Sequence, residues 1–90
     1  MSKNKIILSS LAIDLKRVAL GLQRNSFSMA KRFEQEAYKR KSEIDTKDLA
    51  PYMQALLSRL DKSLTSSSLE RKAEDALFYS TLIQNYVLYK

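Results

Sequence analysis

One glycine and one proline are all that ninety residues offer for breaking a helix, at Gly21 and Pro51. A small β-fold needs a turn roughly every ten residues, built mostly from Gly, Pro, Asn and Asp. This chain lacks that supply, whereas Leu, Ala, Lys, Arg, Glu and Gln, all good helix formers, are abundant. The expectation is a single all-α domain over residues 1–90, since a chain this long makes one core.

Apolar periodicity divides the chain. Leu8, Leu11, Leu15, Val18 and Leu22 recur at alternating spacings of three and four, widened by Ala12 and Ala19. This is the core-facing stripe of a helix over 3–24, with Ser2 as its cap. Ile6, Ile13 and Leu20 form a second line, so this helix is expected to meet more than one neighbour. A second helix over 27–43 turns Met29, Ala30, Phe33, Ala37 and Ile44 inward. In the junction "RNSFS", Asn25 suits a left-handed helix end and Ser26 or Ser28 a new cap. Leu11, Leu22, Phe33 and Ile44 nonetheless keep one phase at eleven-residue spacing, so a single long rod over 3–43 is an alternative.

Further on, Asp48 reads as the cap of a helix over 48–64, with Pro51 at its third position. Leu49, Met53, Leu56, Leu57, Leu60 and Leu64 give its stripe. Ser67 followed by Glu70 reads as a capping box opening the last helix, 68–89. Its stripe is Leu69, Ala73, Ala76, Ser80, Ile83 and Val87. An antiparallel four-helix bundle follows, or three helices if the first two are continuous.

The last helix is apolar on almost every side. Phe78, Tyr79, Leu82, Tyr86 and Tyr89 lie on one flank of the stripe, Leu77 and Leu88 on the other, and Thr81, Gln84 and Asn85 leave a narrow polar seam. A helix of this kind is normally covered all round. The five flank residues are therefore candidates for a homodimer interface, tyrosine being suited to covering area while its hydroxyl stays wet. The bland reading puts the tyrosines at the edge of the chain's own core.

Charge is unevenly spread. Net charge is +6, but residues 1–41 carry +7 and the remainder −1. Arg17, Arg24 and Lys31 are seven apart, and Arg32, Lys39 and Arg40 lie near that line, forming a candidate strip for nucleic acid or an acidic protein. The competing reading is a solubilising surface paired with Glu34, Glu36 and Glu43.

Histidine and cysteine are absent, which removes imidazole bases, thiol nucleophiles and the usual zinc or haem ligands. One glycine cannot make a phosphate-binding loop. The serines at 66–68 read as cap and turn, with no base in a recognisable motif beside them. Ser9, Ser10 and Asp14 interrupt the first apolar run too early for a signal peptide or a membrane span. The sequence thus reads as a non-catalytic cytoplasmic module without a cofactor, pairing with itself, or alternatively a basic accessory protein on nucleic acid.

Overall fold

A computed structural model describes residues 3–65 and 68–89. Four α-helices follow one another: α1 (Lys3–Gln23), α2 (Phe27–Ser42), α3 (Pro51–Leu64) and α4 (Leu69–Tyr89), with one 3-10 turn at Thr46–Asp48. Among the described residues there is no strand. The four-helix arrangement expected from the sequence is present, and the continuous rod over 3–43 is not.

What breaks the rod is local. Asn25 takes φ 58°, the left-handed region that Asn tolerates better than most side chains. The Asn25 N–H then reaches the Leu22 carbonyl at 3.2 Å and the Ser26 N–H reaches that of Gly21 at 2.7 Å, which is the Schellman pattern. Ser26 stands at the N-cap of α2 but its side chain makes no capping bond. The chain reverses within three residues, and α2 runs back along α1.

Gly21 makes the reversal possible in a second way. A Cβ at this position would lie 2.9 Å from the Ala30 backbone nitrogen and 3.1 Å from its Cα. The two helix backbones approach so closely here that only hydrogen fits between them.

The other ends differ from expectation. Asp48 does not cap α3: it closes the 3-10 turn, Ala50 is the N-cap and Pro51 is the first helical residue, where a missing N–H costs nothing. The reason lies in Asp45, whose side chain caps the 3-10 turn by accepting from the Lys47 N–H, so a separate turn forms first. At the start of α4 the Ser68 hydroxyl accepts from the Arg71 N–H at 3.3 Å, making Ser68 the cap. The proposed caps Ser2 and Ser67 lie outside the described residues.

α1 is the hub, packing along α2 on one side and α4 on the other, while α3 rests on α4. Leu8, Leu11 and Leu15 of α1 meet Met53, Leu57, Leu60 and Leu64 of α3 and Ile83 of α4 in one core. A smaller cluster of Val18, Ala19 and Ala76 closes the Asn25 end, with Leu22 and Phe33 packed against it. Leu11 and Leu15 are wholly buried, and each such side chain contributes about 1.5–3 kcal/mol. At the far end Asn4 bonds twice to the Asp45 backbone, fastening the start of α1 to the chain leaving α2.

Candidate functional site

Two surfaces stand out, one apolar and one basic. The apolar one begins with what α1 does not bury. Toward α4 it presents Ala12, whose carbonyl oxygen accepts the Ser80 hydroxyl at 2.6 Å. Toward α2 it presents Gly21. Ile6 and Ile13 point away from both neighbours and remain 54% and 51% exposed. α1 does meet more than one neighbour, as expected, but through its Leu8–Leu11–Leu15 stripe, Ala12 and Gly21; Ile6 and Ile13 of the second apolar line are left uncovered.

α4 adds to the same side of the bundle. At 3.6 residues per turn, Leu77 and Leu88 leave α4 beside the Ser80 contact on its outer side, and Leu88 is 66% exposed. Phe78 and Tyr89 point further outward, at 60% and 82% exposure, with Leu82 half-buried between them. The outer side of the α1–α4 pair is consequently a two-helix face with Ile6, Ile13, Leu77 and Leu88 along it and Phe78 and Tyr89 at its edge.

Tyr79 and Tyr86 behave differently from the rest of the flank. Both are half-buried against the chain's own core. The Tyr86 hydroxyl accepts the Ala50 N–H at 3.2 Å, and its ring meets Tyr52 edge-on at 5.7 Å between centroids. Tyr79 packs edge-on against Phe78 at 5.8 Å. The flank therefore divides into two tyrosines turned to the core edge and an outward group of Phe78 and Tyr89.

The basic residues are rearranged by the hairpin. Arg17, Arg24 and Lys31 do not form a straight line, because Arg24 sits at the bend. Arg17 and Arg32, from different helices, instead share one ring: their guanidinium groups lie 5.1 and 5.8 Å from the Phe33 centroid. Arg40 is engaged internally, 4.0 Å from Asp14 and 3.8 Å from Glu43. Lys31 and Lys39 are exposed on α2.

Among the described residues Asp14 is the one buried carboxylate, facing Arg40 of α2. Its Oδ2 and the Arg40 Nε are buried without a hydrogen-bond partner. Burial holds the Asp14 carboxyl above its ordinary value; the Arg40 guanidinium opposes this, Glu36 adds to it and Arg17 opposes it. Sequence periodicity places Asp14 near the core stripe, but only the hairpin geometry reveals its partner.

Two open clefts of about 450 Å³ lie at the ends of the bundle. One is lined by Lys3, Lys5, Glu43, Asp45, Asp48 and Tyr86. The other lies between Leu22, Asn25, Leu69 and Glu70. Among the described residues no group of acidic side chains is arranged to hold a metal ion, and no helix is long and apolar enough to cross a membrane. Comparison with protein-family models, with curated proteins and with solved structures finds no match to this chain.

Proposed function

We propose that this protein is a non-catalytic, self-associating interaction module of the cytoplasm, pairing through the outer side of α1 and α4. The carrying observation is the exposure of Ile6, Ile13, Leu88, Phe78 and Tyr89 on that side. Large apolar side chains grouped on one face of a small domain mark a surface that is covered in use. Two 21-residue helices lying side by side present a face of roughly 30 by 20 Å at 1.5 Å rise per residue and about 10 Å spacing. That approaches the roughly 800 Å² per partner typical of a stable interface. A second copy supplies a face of identical shape, which a two-fold axis matches to itself. The outward position of Phe78 and Tyr89 supports their place at the rim of the pairing.

Sedimentation velocity at micromolar concentration tests this. A dimer is expected, converting to monomer on Ile13→Glu with Leu88→Glu while helicity is retained. A monomer throughout the accessible concentration range overturns the reading.

A further inference from the structure

A basic face on the α1–α2 side of the bundle borders the α1–α4 surface. We propose that Arg17, Arg32, Lys31 and Lys39 grip the phosphodiester backbone of double-stranded nucleic acid, with Phe33 seating the two arginines.

Helix α2 turns its acids and its cations in different directions. Glu34 faces α4, paired with Lys72 at 3.0 Å. Glu36 is half-buried near Asp14, and Glu43 pairs with Arg40. The outward line of α2 is then Ser28, Lys31, Arg32, Gln35 and Lys39, all exposed and without a carboxylate. None of Arg17, Lys31, Arg32 and Lys39 lies in an ion pair among the described residues. The pairing of Glu34 with Lys72 and of Glu43 with Arg40 offsets part of the repulsion that acids on this helix would otherwise present to a phosphate.

Arg17 and Arg32 come from different helices, yet both guanidinium groups rest on one ring. Cation–π contact fixes their planes and lowers the ordering cost of forming a forked bond to phosphate. Phe33 itself is packed against Val18, Ala19 and Ala76, so its task is to hold the arginines, not to stack an unpaired base. Between Ser28 and Lys39 the outward line bears no aliphatic side chain. A helix lying on a lipid surface needs such side chains beside its cations. The exposed aromatics of α2, Phe27 and Tyr38, lie about three turns apart and make no continuous apolar stripe beside the cations, which favours nucleic acid over membrane, and contact with phosphate alone reads no sequence.

The test is fluorescence anisotropy of the intact protein with a labelled DNA duplex and an RNA duplex of arbitrary sequence. Micromolar binding at low salt is expected, indifferent to sequence, with log K falling against log salt at a slope of about −3 to −4 for four neutralised phosphates. Arg17→Gln with Arg32→Gln should weaken binding at least about tenfold, whereas Lys16→Gln with Lys62→Gln, the same loss of charge elsewhere, should change it less than about twofold. Phe33→Leu should weaken it several-fold at a temperature where circular dichroism shows the helices intact. Equal losses from the two charge-matched doubles overturn the proposal, as does binding to phosphatidylserine vesicles without binding to either duplex. The same measurements on a Leu77→Glu, Leu88→Glu variant separate this site from self-association, since both new charges lie on α4 and neither stands beside Arg17.

Discussion

Ser80 of α4 donates its hydroxyl hydrogen to the carbonyl oxygen of Ala12 on α1, 2.6 Å away in the buried seam between the two helices. The bond spans 68 residues of sequence and fixes the register of the first helix against the last. Serine is small enough to let the helices approach and polar enough to bond once they do. A net contribution of about 0.5–1.5 kcal/mol is typical of such a bond. Ser80→Ala should therefore lower stability by about 1 kcal/mol, and Ser80→Leu by more, since added volume would force α1 and α4 apart. Urea denaturation followed by circular dichroism reads both, with a lower midpoint and an unchanged slope for the alanine variant.

Gly21 predicts a reversal of ordinary helix propensity. Alanine inside a helix normally gains about 1 kcal/mol over glycine. Here its methyl would meet the Ala30 backbone at 2.9 Å, and backbone cannot move aside as a side chain can. Gly21→Ala should destabilise by about 1–3 kcal/mol, measured by thermal melting.

Asn25 holds a positive φ of 58°. Asn25→Gly relieves that conformation and should raise stability by a few tenths to about 1 kcal/mol. Asn25→Val places a β-branched side chain in the left-handed region and should cost about 1–2 kcal/mol. The ordering Gly above Asn above Val in melting temperature is the outcome that checks the turn.

Asp14 predicts a pH dependence of definite sign. Its folded carboxyl titrates above the ordinary value of 3.8, chiefly because it is buried. Between the ordinary and the raised value the folded state therefore binds more protons than the unfolded state. Stability from this group falls as pH rises through that window, and the charged carboxylate remains a cost at neutral pH. Asp14→Asn should be the more stable protein at pH 7. Its advantage should vanish as pH falls below the ordinary carboxylate range. Urea midpoints collected from acid to neutral pH test both statements.

The helices were legible because burial follows spacing. Leu8, Leu11, Leu15 and Val18 lie on one stripe, and all four are buried. The bend was legible only in part. The unbroken phase from Leu22 to Phe33 is compatible with a rod, and the decision falls to Asn25 and to the gap that Gly21 leaves for Ala30. The sequence puts the start of α3 at Asp48, three residues before Pro51; Asp45, Asp48 and Ala50 compete for one junction, and a 3-10 turn lets Asp45 take the capping role first. On the surfaces, the outward exposure of Phe78 and Tyr89 follows from the all-round apolar character of α4. The inward turn of Tyr86 does not, because its partner Ala50 is 36 residues away. Periodicity likewise gave no sign that Arg17 and Arg32 share one ring, since that meeting depends on the reversal between them.

The bond from Ala50 N–H to the Tyr86 hydroxyl sets an order of events during synthesis. α1 and α2 can zip together as soon as both have left the ribosome, because their connection is three residues long. The first turn of α3 has to wait for its tyrosine cap until the closing turn of α4 has emerged. A nascent chain stalled before residue 86 would hold the α1–α2 hairpin and an α3 whose first turn still lacks its tyrosine partner.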